Sequence, residues 1–489
     1  MERLTENNIH NLNLTQSSIN LLSYYQSIIK KQGKTLLFSQ KREYNSDYYK
    51  LQTFIYNCFD NIYRNLKNQY KNKESIIDLN DNRKIISSQS IEYTKLVNHV
   101  YYKHFYDNIY ISNEIKKYII KQDNNYNSFI VKYNFIHENI EINIHFIIYL
   151  NNEKDCNNMV EIINKYDKFV FHMLALISLV KKLTYNKLTN NNCSIDGLNI
   201  YIFKTPFERK LFNGLKKTVL GANNINGGFC YGCVDKGDII IYRDEETLKV
   251  FSHELCHNFG VDKYIFNFIK NSLYKNPESD IYNNFINNFN LSKKINKEQY
   301  DIGIQESLIE FWGIFLNTSL FVFNNNYAYD IIYYNKIKNY IDFFEEIFTH
   351  EILHSFFQTQ KILDYNNITI DSILSKTNIE KNKFNNYRET THVFSYIIIK
   401  LFLLINYKDF INSNISIKRI NKTNPLKYVI GFHYSLKNIN NFFNYIISVT
   451  RTNSDYIKNN LKYIKNILKK LKNNNLIKNN LRMSTIEVQ

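Results

Sequence analysis

The 489-residue sequence predicts an α+β protein, and three features carry that reading. Residues 128–137 and 140–150 alternate apolar and polar side chains, as two strands joined by a short turn do. Two further apolar runs, 198–204 and 238–242, read as strands closed by Pro206 and by the polar start Arg243-Asp244-Glu245-Glu246. Most of the remaining chain spaces its apolar residues at helical intervals.

Taken in order, residues 1–125 read as a helical N-terminal extension with polar interruptions such as Asn80-Asp81-Asn82-Arg83. Residues 126–262 form an α+β unit: the strand pair, a helix over 157–183, the strand at 198–204, a turn-rich loop at 223–228, the strand at 238–242, and a helix that Asp244 caps and Gly260 ends. Residues 263–450 read as a mostly helical half. Residues 451–489 form a basic helical tail whose Tyr456, Ile457, Leu461, Ile464, Leu468 and Leu471 share one face.

The composition excludes more than it identifies. Hydrophobic residues are 44% of the chain and aromatic residues 16%, which excludes a wholly disordered chain. Asn, Ile, Lys, Tyr and Phe dominate while Ala and Pro are scarce, the imprint of an AT-rich genome such as that of a large DNA virus or a parasite. The net charge of +17 shares that origin and predicts at most weak polyanion binding. The N-terminus lacks a basic and apolar signal segment, and the apolar runs at 169–180 and 396–406 are too short or too broken to span a bilayer. The expectation is therefore a soluble protein with no transmembrane segment, in a cytoplasm or a virion. Six cysteines predict thiols in a reducing compartment rather than a disulfide framework, and the lone CxxC of Cys230 and Cys233 reads as two thiols near a turn.

Chemistry concentrates in Val250-Phe-Ser-His253-Glu254-Leu-Cys-His257-Asn-Phe-Gly260. Two histidines at i and i+4 lie one turn apart on one helical face, where both imidazoles reach one tetrahedral zinc. Glu254 then projects beside the metal and accepts a proton from the attacking water. Farther on, 302–323 is apolar nearly all round yet carries Glu306 and Glu310. Carboxylates in a buried helix are costly unless they bind a metal or pair with Lys or Arg.

On these residues the chain resembles the zincin metallopeptidases. It is also similar to uncharacterised HExxH proteins of large DNA viruses. The resemblance covers about 128–320 and implies a zincin-like mixed sheet beside the motif helix, a zinc cofactor, and hydrolysis of protein or peptide substrates. The metzincin branch would need a ligand where Lys263 stands, and Asp262 is one residue out of register. The gluzincin branch implies Glu306 as third ligand, with Glu310, in place of that branch's usual Asp, orienting a ligand histidine. It also implies an oxyanion donor, for which Tyr387, Arg388 and His392 are candidates.

A second HExxH occurs at His350-Glu351-Ile-Leu-His354 inside a helix over 336–363. No strand leads into it and no glycine ends it, and its neighbours Glu345, Glu346, Gln358 and Lys361 suggest a solvated face, so it reads as a decoy. Glu389 is the carboxylate that could complete a site there, and it is the next candidate should Glu306 face away. Two rival functions stand beside the metallopeptidase: a catalytically inactive zincin-fold structural or host-interaction protein, and a basic nucleic-acid-binding protein.

Overall fold

The computed structural model describes residues 4, 6–32, 46–70, 79–123, 128–149, 159–184, 193–194, 196–211, 219–274, 280–291, 302–326, 336–374, 377, 384, 387–419, 428–432, 436–471 and 475–488. A mixed six-stranded sheet is the frame: β1 (Arg83–Ser87), β2 (Ser128–His137), β3 (Ile140–Tyr149), β4 (Gly197–Phe203), β5 (Gly228–Cys230) and β6 (Lys236–Ile241), in the order β1-β2-β3-β4-β6-β5. The fold is α+β, as the sequence predicts.

The β2–β3 pairing runs in register from Ser128 opposite Tyr149 to His137 opposite Ile140. Glu138 and Asn139 make the two-residue turn, both with positive φ (53° and 61°), the geometry that matches the twist of an antiparallel pair. The 26-residue helix Met159–Thr184 then crosses over to β4, which lies parallel to β3, and β6 lies parallel to β4.

Two elements of this sheet escape the sequence reading. β1 pairs antiparallel with β2, so the sheet begins inside the segment expected to be a helical extension. Its five residues, RKIIS, are too few for their alternation to stand out. β5 is three residues long and falls at the end of the loop expected at 223–228, where Ala222–Ile225 is a single helical turn. β5 ends the sheet at one edge, antiparallel to β6.

The sheet is covered on both faces. One face, including Ile142, Ile144, Phe146, Leu198, Ile200, Ile202 and Ile239, joins a large core with the crossover helix and the helical half. The other face, with Ile130, Ile147, Tyr201, Phe203, Ile240 and Tyr242, packs under Tyr93, Val97, Phe105, Ile115 and Ile119. Residues 91–119 thus wrap the sheet, a role their sequence alone does not reveal. The helical half also carries a hairpin, β7 (Ile415–Arg419) with β8 (Tyr428–Phe432).

Helix Ile304–Asn326 runs through the centre of the large core. It is long and apolar enough to cross a membrane by composition, and 94% of its apolar window is buried inside the protein. The basic helix Ser454–Lys470 buries Ile457, Leu461, Ile464 and Leu468 as its spacing predicts. The segment after it threads inward, with Leu481 through Ile486 all buried.

Candidate metal centre

The motif helix spans Thr247–Asn258, shorter at its start than the sequence suggests. Asp244 does not cap it; that side chain pairs with Lys204. The cap position belongs to Glu246, held at φ 58°. A left-handed non-glycine residue costs about 1–2 kcal/mol and needs its surroundings to hold it. Here the Glu246 carboxylate accepts from Arg209 Nη1 at 2.6 Å, Ser484 N at 2.6 Å and Met483 N at 3.0 Å. The start of the motif helix is thereby tied to the buried C-terminal segment.

The central helix crosses the motif helix at Gly313. A Cβ there would lie 3.2 Å from His253 Cβ and 3.3 Å from its Cα, so the glycine permits the close approach. This crossing brings the two carboxylates of the central helix over the histidines. One ligand atom each from His253, His257 and Glu306 lie within 4.8 Å of one another. Glu306 Oε2 is 3.0 Å from His257 Nε2 and 3.5 Å from His253 Nε2.

The far nitrogen of each ring is also engaged by a carboxylate. His253 Nδ1 lies 2.9 Å from Glu310 Oε2, and His257 Nδ1 lies 2.8 Å from Asp262 Oδ2. Glu310 also pairs with Lys249 at 2.5 Å and lies 3.9 Å from Lys400, the lysine pairing that the sequence leaves open for a buried carboxylate. His253, Glu310, Asp262, Lys249 and Lys400 are buried, whereas His257 and Glu306 are partly exposed. Burial works against the imidazolium forms, yet the acids outweigh it: Glu306 and Glu310 raise His253, and Asp262 and Glu306 raise His257 well above its ordinary value. Burial likewise opposes ionisation of Glu306, and the two histidines reverse it and hold that carboxyl well below the usual range. Glu254 moves the other way, raised by burial that the histidines only partly offset.

His253, His257, Asp262 and Glu306 line a cavity of about 410 Å³ that Gly228, Phe229 and Cys230 of the edge strand also line. Glu254 lines it, as do His392 and Tyr396. Tyr396 packs against His253 with ring centroids 5.8 Å apart. Burial, with the charges of Glu306 and Glu254 adding, holds its phenol well above the usual range.

Of the oxyanion candidates, only His392 reaches this cavity. Tyr387 donates instead to Glu389, and the Arg388 backbone lies against Asn366. Glu389 accepts from Phe394 N at 2.7 Å and so supports a neighbouring turn. Four participants were missed: Asp262, Tyr396, Lys249 and Lys400. The two lysines carried a usable signal, since each is a charge on an apolar helix stretch, the same anomaly that marks Glu306 and Glu310.

The second HExxH needs a correction. It is not solvated: His350, Glu351 and His354 are each at most 1% exposed. The reason lies in segments far away in sequence. His354 Nδ1 accepts from the Tyr25 hydroxyl at 2.9 Å, and its Nε2 donates to Arg482 O at 2.9 Å. His350 Nδ1 donates to Glu346 O at 2.9 Å, and its Nε2 lies 2.9 Å from the Gln26 amide. Glu351 accepts from Thr485 N at 2.8 Å and Ser484 Oγ at 3.0 Å. The cysteine expectation is corrected too, because Cys193 and Cys233 form a disulfide while Cys58, Cys230 and Cys256 stay free.

No protein family, curated protein or solved structure matches the chain.

Proposed function

We propose that this protein is a zinc-dependent metallopeptidase of gluzincin-like design, with His253, His257 and Glu306 as ligands. One observation carries the reading: two imidazoles and a carboxylate converge on a common point, and each imidazole is backed by a second carboxylate. The donor set fits zinc, which takes nitrogen and oxygen ligands in small numbers and prefers histidines whose other nitrogen is fixed. The charge fits as well. Glu306, Asp262 and Glu254 crowd two imidazoles in a largely buried place, and a divalent cation at the convergence point would offset most of their negative charge.

A bound zinc would supply Lewis acidity, polarising a peptide carbonyl and acidifying a water molecule. The rest is the chain's own work. Glu254, ionised beside two histidines, accepts the proton of the attacking water and later delivers it to the departing amine. Its raised pKa suits both halves of that exchange. Tyr396 and His392 line the cavity and would donate to the developing oxyanion. The edge strand Gly228–Cys230 offers backbone groups on which an extended peptide could lie as an added strand.

Zinc content and hydrolysis of a peptide library test the proposal together. The wild-type chain should hold one zinc and cleave peptides. Glu254→Gln should hold the same zinc and cleave at least roughly a hundredfold more slowly. Zinc with no turnover on any peptide would favour the inactive zincin-fold rival. Tight, salt-sensitive nucleic-acid binding without zinc would favour the other.

A further inference from the structure

We propose that the Cys193–Cys233 disulfide is a redox-modification site, a reducible clasp on the exit of the motif helix whose opening by a small dithiol loosens the Asp262–His257 contact. The consequence for metal binding rests on the metallopeptidase reading; the clasp itself does not.

The bond joins residues 40 apart: Cys193 in the approach to β4 and Cys233 in the turn between β5 and β6. Both segments are stitched to the end of the motif helix. Cys233 N donates to Asn258 O at 3.2 Å, and the Ser194 hydroxyl donates to Asn258 Oδ1. The segments also hold each other, through Ser194 N to Val234 O at 2.7 Å and Asp196 N to Asp235 O at 2.9 Å.

Gly260 sits directly on the disulfide. A Cβ there would lie 2.9 Å from Cys193 Sγ and 3.4 Å from Cys233 Sγ, and its φ of +70° turns the chain out of the helix. That turn returns Asp262 to His257, where its carboxylate lies 2.8 Å from Nδ1. Within six residues the chain therefore carries a candidate metal ligand, the seat of the disulfide and the carboxylate that orients the ligand. Displacing Gly260 displaces Asp262.

The bond is reachable from one side. Cys193 is 6% exposed, whereas Cys233 is half-buried and lines the same cavity as His257. A dithiol's thiolate attacks Cys233 Sγ, forms a mixed disulfide and expels the Cys193 thiolate, which takes up a proton. The second thiol of the reagent then attacks its own sulfur, closing a cyclic disulfide and releasing Cys233, which is protonated in turn. Two electrons and two protons pass to the protein, and the dithiol is oxidised. Reduction removes the covalent link but leaves the hydrogen bonds, so the exit should loosen rather than unfold.

The test uses the full chain in two states, oxidised and reduced by dithiothreitol that is then removed without air. Alkylation with mass spectrometry reports the thiols, hydrogen exchange reports residues 256–263, and chelator competition reports zinc affinity. In the oxidised state Cys193 and Cys233 should resist alkylation. Reduction should speed exchange at 256–263 and weaken zinc about tenfold, the lower end of what losing an orienting carboxylate costs. The Cys193→Ser, Cys233→Ser double variant should behave as the reduced chain with or without the dithiol. Free alkylation of both cysteines in the oxidised state would overturn the clasp. So would unchanged exchange on reduction, or a double variant that still responds to the dithiol. If neither state binds zinc, the metallopeptidase reading fails, and hydrogen exchange still decides the clasp.

Discussion

His253–His257 and His350–His354 each present two imidazoles one turn apart, with a glutamate after the first. Around the first pair the partners are carboxylates: Glu306 between the rings, with Glu310 and Asp262 behind them. Around the second pair the partners are neutral: a tyrosine hydroxyl, two side-chain amides and two backbone carbonyls. The acids raise the first pair's affinity for a proton, and by the same electrostatics for a cation. Burial without carboxylate partners does the reverse, lowering His350 to about 4, and burial with the charge of Lys361 holds His354 well below its ordinary value. A motif of this kind therefore acquires its chemistry from what surrounds the outer nitrogens and the space between the rings. The second copy spends its polar atoms fastening the C-terminal segment and the helix Gln16–Gln32 to the core.

Exchanging the two roles gives the largest expected effect. His257→Ala should abolish stoichiometric zinc binding, and His354→Ala should leave one zinc per chain. Metal analysis of both purified variants checks this, and zinc lost only with His354 would invert the comparison.

Stability should respond the other way. His354→Ala orphans the buried Tyr25 hydroxyl, takes one of two donors from the Arg482 carbonyl and leaves a cavity, so it should cost about 2 kcal/mol or more in denaturant unfolding. A cost below about 0.5 kcal/mol would deny the second copy its structural role.

Acid sharpens the contrast further. Above about pH 6.5 His350 is neutral in both the folded and the unfolded chain, and its contribution is fully present. Its folded pKa is depressed to about 4, so the unfolded chain takes up the proton first and stability falls as pH drops from 6.5 towards 4. That difference is worth at most about 3 kcal/mol. His350→Gln should flatten this part of the pH–stability curve, and an unchanged slope would show that the loss arises elsewhere.

The smallest effects concern the carboxylates behind the rings. Glu310→Gln and Asp262→Asn should each weaken zinc roughly tenfold to a hundredfold while leaving its stoichiometry at saturation. Equal affinity in both variants would reduce these acids to ordinary ion-pair partners.

Much of this arrangement was legible before folding. The order of β2, β3, the crossover helix, β4, β6 and the motif helix follows from alternation and helical spacing, and Gly260 marks the helix end by its chemistry. Glu306 and Glu310 stand out because a charge on an otherwise apolar helix is costly to bury, and that cost is a property of the side chain and its neighbours in sequence. What depended on the tertiary structure has a common physical cause, since it rests on contacts between distant segments. Short strands such as β1 and β5 exist only because a partner edge satisfies their backbone. The left-handed Glu246 cap is held by Arg209, Met483 and Ser484, Asp262 reaches His257 through a turn seated on a disulfide, and the second HExxH is buried by Tyr25, Gln26 and the C-terminal segment. Local periodicity records which face of an element is apolar, but it carries no information about which remote polar group will meet a given imidazole, and that meeting separates a candidate cation site from a structural anchor.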